Sequence, residues 1–384
     1  MFSSASPFWL VGFRPFFALG ALAGMILPMS WVLIFTGVFP APNPSLMPTI
    51  WHAHEMFYGF GWAVLGGFLL TSTKNWVGVR GYHGFPLIWL SAAWVMERVV
   101  VSAGGDWPEA LVLCLSFGFL VPVVGMLMWT LIRYREQDSY ADNLFFVILL
   151  PVFVVAKYLL LFGDFSAGVS MTMALFRLAF LLMLERTLTQ FMKGIFQVSI
   201  WRNVWFDLAI KTLAMVLVFE AFLPLALTTM LSALLAGLLL YRFFHWYPSL
   251  AVRRIDIGIM YVGYLAISCQ LLLEVFTRTT NWPWVGTVSI HLFTFGAMGS
   301  IIPAMIIRIS KGHTGRKVVF DAVDRGVLYL MLLAVLVRVL LPQLTVPYVA
   351  VLYFSATLWL LAFAVLAWRY IPLLMQARID GKMH

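Results

Sequence analysis

Apolar residues run in long blocks along the chain, and a short polar, Pro-bearing or Gly-bearing stretch closes each one. The blocks fall near 15–39, 50–71, 84–103, 109–132, 143–163, 166–185, 206–225, 228–245, 256–277, 285–308, 325–341 and 346–371. Roughly 17–25 apolar residues is the length a helix needs to cross the hydrocarbon core of a bilayer. Strands of a membrane barrel would be about half as long and would alternate in polarity. The pattern therefore predicts an all-α, polytopic transmembrane bundle of about twelve spans. Pro40-Ala41-Pro42-Asn43-Pro44 and Gly104-Gly105-Asp106 show the punctuation at two junctions. No linker or shift in composition divides the chain, so residues 1–384 read as a single transmembrane helical domain.

Composition agrees. Hydrophobic residues make up 62% and charged residues 11%, where a soluble domain has about half and about a quarter. The 16 Trp and 13 Tyr suit belts at the two membrane interfaces. The net charge of +9 does not point to nucleic acid, because the basic residues gather in alternate loops. With the N-terminus in the cytoplasm, 20 of the 25 Lys and Arg fall on the cytoplasmic side and Arg278 alone falls outside. The positive-inside rule then puts both termini in the cytoplasm of a bacterial-type inner membrane, with the bilayer as the first partner. No cleavable signal peptide is visible at the first block. Cys114 and Cys269 sit inside apolar blocks without motif spacing and read as buried small hydrophobes.

Polar groups inside spans are costly and mark function by default. The densest set is Trp51-His52-Ala53-His54-Glu55-Met56, at the outer end of the second block. A helix turns about 100° per residue, so His52 and His54 point roughly 200° apart and do not easily share one metal ion. His291 lies about two turns into the tenth block, in line with Met298. Orientation places all three His residues at similar depth in the outer half of the membrane. Glu97, Arg98, Lys157, Glu220, Glu274 and Arg338 fall there too, and only Arg177 is central. Such charges should face the interior and pair with each other or with a ligand.

His with Met suits copper, and imidazole equally suits haem iron. Haem propionates would need cations, and Arg98, Lys157 and Arg338 are at the right depth. Gly59, Gly61, Gly66, Gly67, Gly296 and Gly299 permit close approach, most simply for helix packing. His54 to Gly59 and His291 to Gly296 are both five apart, an echo that would fit a six-plus-six duplication. Lys311-Gly312-His313-Thr314-Gly315-Arg316 looks like an anion-binding turn on the cytoplasmic side. His83, His245 and His384 read as interfacial or solvated. Cys-x-x-Cys-His, Walker and Rossmann motifs are absent, as is a Ser/His/Asp arrangement.

Arg14-Pro15-Phe16-Phe17, Trp51-His52-Ala53-His54-Glu55-Met56-Phe57-Tyr58-Gly59-Phe60, Gly67-Phe68-Leu69-Leu70-Thr71 and Asn75-Trp76-Val77-Gly78 closely resemble the NnrS family. The resemblance resumes at His291-Leu292-Phe293-Thr294-Phe295-Gly296-Ala297-Met298-Gly299 and Gly312-His313-Thr314-Gly315-Arg316, and runs through Arg338 to Arg378-Ile379-Asp380-Gly381. It implies a haem- and copper-containing protein of about twelve spans, linked to nitric oxide metabolism and nitrosative stress. On that footing the expected metal ligands are His52, His54 and His291, with Met56 and Met298 beside them. Glu55 would relay protons, Tyr58 would orient a ligand, and Arg98 and Arg338 would hold propionates of a b-type haem, with copper as a second metal. Nitric oxide would be bound and reduced, or sequestered, with electrons from quinol or a redox partner protein.

Two stretches depart from the family pattern. Tyr261 stands where members often carry a His, and Leu184-Glu185-Arg186 replaces a Gly-Gly-Arg run. Two other readings fit the same residues: a transporter or channel for a small solute or metal ion, and a sensor or assembly factor without turnover. Colour separates the first of these from a haem protein.

Overall fold

The structure, a computed structural model, describes residues 6–381. Lys382 and His384 lie outside the described residues. The described residues form helices and no strand. In chain order the long helices are α1 Phe13–Phe35, α2 Pro48–Val77, α3 Phe85–Ala103, α4 Glu109–Ser116, α5 Leu120–Arg133, α6 Leu144–Phe162, α7 Phe165–Phe196, α8 Val204–Val216, α9 Leu225–Phe244, α10 Ile255–Thr279, α11 Val288–Gly312, α12 Ala322–Leu340 and α13 Tyr348–Leu374.

Local chemistry sets their ends. Pro48 and Pro86 occupy first turns, where a missing N–H costs nothing. Gly78, with φ of 70°, closes α2 in the left-handed conformation. Asp321 and Asp324 form a reciprocal capping box at the start of α12. The Asn203 side chain caps α8 by accepting from the Phe206 N–H at 3.0 Å.

Among the described residues ten helices are long and apolar enough to cross a membrane, and α4 with α5, bent by 42°, make an eleventh if they act as one span. The block at 206–225 is where the count falls short of twelve. There α8 is only 13 residues long and gives way to a 3-10 turn over Leu217–Phe222, kinked at Phe219.

The chain separates into two compact units. One comprises the residues up to Phe165 with Ile306–Val319 and the segment from Trp359 onward; the other is Ser166–Met305 with Phe320–Leu358. In the first, α2 is the enclosed element: 89% of its apolar stretch is buried, against 33% for α3. Trp89, Val95 and Val99 of α3 are exposed, as suits a helix facing lipid. Lipid removes the hydrophobic drive between helices, so close backbone approach by small residues takes over. A Cβ on Gly67 would lie 2.6 Å from Phe16 Cβ, and one on Gly20 would lie 2.7 Å from Val64 Cγ2. Gly67 thus serves α1–α2 packing. In the second unit α7 is the most enclosed helix, and α10 meets α11 through Gly263 against Ile301 and Gly296 against Ala266.

Both cysteines are free. Cys114 differs from the sequence expectation: it is exposed on α4 rather than buried, since that apolar block turns part of its surface outward.

Candidate functional site

Each histidine motif opens a wide turn. Immediately after His54 the backbone of α2 runs as a π-helix over Glu55–Gly61, and immediately after His291 that of α11 does so over Leu292–Met298. In a π-helix the hydrogen bond spans five residues, a geometry that is rare and concentrates at functional sites. The five-residue spacing from His54 to Gly59 and from His291 to Gly296 is therefore one such turn.

The π-turn of α2 gathers charges from three helices. The His54 ring is fully buried, with Nδ1 at 3.0 Å from Glu55 Oε1 and Nε2 at 3.3 Å from Glu97 Oε1. Arg98 bridges both acids, donating from Nε to Glu55 Oε2 at 2.8 Å and from Nη2 to Glu97 Oε1 at 2.7 Å. The buried Lys157 ammonium donates to Glu97 Oε1 and to the Ser116 carbonyl. Two acidic side chains thus face two basic ones around the His54 ring. Buried charges survive when paired and hydrogen-bonded in this way. Tyr58 stacks on His54 at 5.6 Å between ring centroids, and its hydroxyl donates to the Phe153 carbonyl at 3.3 Å. A Cβ on Gly59 would come within 3.2 Å of Glu55 Oε2 and 3.3 Å of Arg98 Nη1, so this glycine makes room for the ion pair.

His52 is in other surroundings. Its ring stacks on Trp31 at 4.3 Å with an interplanar angle of 11°. The two rings diverge, as the helical spacing requires. Met56 is half-buried and Met298 is buried. Among the described residues no three His, Cys, Asp or Glu side chains are disposed as one metal ion's ligand set. His54, for its part, turns one nitrogen to each of two different carboxylates.

The second unit holds a different arrangement. His291 Nδ1 lies 2.8 Å from the Thr287 carbonyl and 2.9 Å from its hydroxyl. The carbonyl accepts, so the proton belongs on Nδ1 and the Nε2 lone pair points away. Arg338 Nη2 donates to that lone pair at 3.2 Å and to the Tyr348 hydroxyl at 3.1 Å. In the same unit Arg177 is fully buried. Its Nη1 donates to Gln270 Oε1 at 2.9 Å, while Nε and Nη2 have no hydrogen-bond partner among the described residues. Those two N–H groups form the fork that binds a carboxylate side-on. Gln270 in turn reaches Glu274 and, at 3.2 Å, Ser289, two residues before His291.

The two departures from the family pattern fall in one further cluster. Arg242 donates to Glu185 at 3.0 Å, Asp207 at 3.2 Å and the Tyr264 hydroxyl at 2.9 Å. Glu185 also pairs with Arg202 and Lys211. Tyr261 donates its hydroxyl to the Trp246 carbonyl at 2.6 Å, and Arg242 stacks on the Trp246 ring.

Of the residues singled out from sequence, His54, Glu55, Tyr58 and Arg98 meet in one cluster, while His291 and Arg338 meet in another. Glu97 and Lys157 were recognisable as intramembrane charges, but not as partners of His54. His83 and His245 are exposed, each with a ring nitrogen on a nearby carbonyl.

The family described as NnrS protein matches residues 7–378, nearly the whole chain. No curated protein matches it.

Proposed function

The chain belongs to the NnrS family, which links it to the nitric oxide response, and from this premise we propose that it is a haem b protein of the bacterial inner membrane that binds nitric oxide and reduces it. His291 carries the reading. A metal-ligating histidine usually fixes its ring by donating the other N–H to a carbonyl or carboxylate, which raises the basicity of the ligating nitrogen. His291 has that arrangement on the Thr287 carbonyl. Its Nε2 would ligate the iron of a bound haem, and Arg338 would then be available to hold a propionate. The open fork of Arg177 supplies a second carboxylate partner in the same unit. Haem iron, when bound, would supply the site for nitric oxide and the electrons for its reduction to nitrous oxide, drawn from quinol or a redox partner protein.

The rest falls to side chains of the chain itself. Reduction of two nitric oxide molecules consumes two protons with two electrons. Glu55 and Glu97 lie on either side of the His54 ring, Glu55 hydrogen-bonded to Nδ1 and Glu97 3.3 Å from Nε2, an acid–imidazole–acid arrangement suited to passing protons. Tyr58 orients His54 by stacking, and Arg98 with Lys157 holds the two acids in place. Copper is the second candidate metal, with His52 and Met56 as the soft donors.

A second reading has its own observation. The interrupted helices α2 and α11 carry their irregular turn and glycine at corresponding positions in the two units. Transporters place solute sites at such paired interruptions. The test is a reduced-minus-oxidised visible spectrum of the purified protein, with and without nitric oxide, beside iron and copper analysis. A b-type spectrum that shifts with nitric oxide supports the haem reading. A colourless, metal-free protein from haem-replete cells supports the transporter.

A further inference from the structure

The Lys311–Arg316 turn resembled an anion site in sequence, and the structure assigns it a different and more specific use. The turn docks the C-terminal segment: the Ile379 N–H donates to the Thr314 carbonyl at 3.1 Å, and Arg378 Nη1 donates to the His313 carbonyl at 3.0 Å. Gly315, with φ of 81°, lies so close to Asp380 that a Cβ there would be 2.9 Å from its carboxyl carbon. The docked segment borders a partly open cavity of about 290 Å³ in the first unit, lined by Lys74, Asn75, Arg80, His313 and Arg378 among others. A water molecule takes about 30 Å³, so there is room for a phosphate group and part of its substituent.

Basic side chains converge here. Arg378 is held bidentately by Asp380 at 2.9 and 2.6 Å. Among the described residues the wall carries Lys74, Arg80, His313 and Arg378 and no acid. Nearby, the buried Arg14 donates Nη1 to the Leu374 and Gln376 carbonyls at 2.8 and 2.6 Å. Its Nε and Nη2 have no hydrogen-bond partner among the described residues, and neither does Arg316 Nη1. A wall lined by basic residues beside the open N–H groups of the buried Arg14 favours a bound anion. The cavity sits at the ends of α1, α2, α11 and α13, on the face that the positive-inside bias assigns to the cytoplasm. Basic pockets on that face are where lipid phosphates bind.

We propose that this cavity is a binding site for a phosphate-bearing anion, recognised by Lys74, Arg80, His313 and Arg378. The phosphate comes from a phospholipid headgroup or from a free phosphate ester. The site stands apart from the histidine clusters, and its test does not depend on a cofactor.

The experiment uses the full chain in detergent and a Lys74→Gln, Arg80→Gln double variant. Both residues are exposed, so folding is retained; an Arg378→Gln variant provides a second perturbation. One arm measures phosphatidylglycerol against phosphatidylcholine retention by native mass spectrometry. The other measures the thermal shift with inorganic phosphate against chloride at equal ionic strength. The expected result is a preference for at least one phosphate-bearing anion that falls about tenfold to thirtyfold in the double variant. Retention of the anionic lipid alone assigns the phosphate to the membrane, and a shift with inorganic phosphate assigns it to a soluble ester. The proposal is overturned if neither probe exceeds its control, or if both variants bind as the native chain does.

Discussion

Arg338 donates a hydrogen bond from Nη2 to Nε2 of His291 at 3.2 Å, the nitrogen whose lone pair a haem iron would need. On the proposed reading Arg338 is a placeholder that would change partners when a haem binds. A charge-assisted hydrogen bond contributes about 1.5–3 kcal/mol. Arg338→Leu should therefore lower haem retention roughly tenfold to a hundredfold while leaving the b-type band shape intact. Haem occupancy after extended dialysis reads this directly. Equal retention in the variant would remove Arg338 from the site.

The His54 cluster makes a stability prediction independent of any cofactor. Glu97→Gln leaves the buried Lys157 without its carboxylate, and breaking such a pair costs about 3–5 kcal/mol. The melting temperature in detergent should fall sharply. Adding Lys157→Met removes the orphaned charge and should recover much of the loss. A single variant as stable as the parent, or a double variant no better than the single, would show that the two groups are not paired.

Glycines separate packing from mere composition. Gly296→Ala would set a Cβ 2.8 Å from Ala266, and overpacking of that kind costs about 1–3 kcal/mol. Gly125→Ala meets nothing within 4 Å inside α5 and should stabilise by up to about 1 kcal/mol, the helix-propensity difference. Thermal unfolding of the two variants side by side should move in opposite directions.

His313 gives a pH signature. Burial, then the nearby Arg378, Lys74 and Arg14, hold its proton affinity below the ordinary value of 6.5. The unfolded chain therefore binds a proton more readily than the folded one, and stability rises with pH across the interval between the two values. The contribution is complete above about 6.5 and is lost as pH falls below it. Melting temperatures should decline below pH 6.5 in the native chain and decline less in His313→Gln. Phosphate should shrink the difference if it occupies the neighbouring cavity.

Most of the helices were legible because membrane spans carry their own signal: every backbone group must be satisfied within the segment, so apolar length alone marks them. The block at 206–225 misled, since hydrophobicity does not distinguish a helix from the 3-10 turn that Leu217–Phe222 adopts before Leu223-Pro224. The grouping of intramembrane charges was also legible, from their cost in lipid. Their partners were not. Glu97 and Lys157 are 60 residues apart, and nothing in their neighbourhoods encodes which helices adjoin. A spacing of three along an α-helix would set His52 on the Glu55 face, whereas His54 is the ring that meets Glu55 Oε1. The π-turn that begins at Glu55 changes the angle per residue, and no residue pattern announced it beyond the glycine five positions after each histidine. His313 sits in a motif that looked like a ligand loop, yet the turn's first task is to hold Arg378 and the chain end.

The central proposal is that His291 would ligate the iron of a haem b. Its most direct test is the reduced-minus-oxidised spectrum of the purified native chain beside that of His291→Ala, both from haem-replete cells and both checked as monodisperse. The account predicts a b-type spectrum that shifts with nitric oxide in the native chain, and its loss in the variant. An unchanged spectrum in His291→Ala, or a colourless native protein, would contradict it.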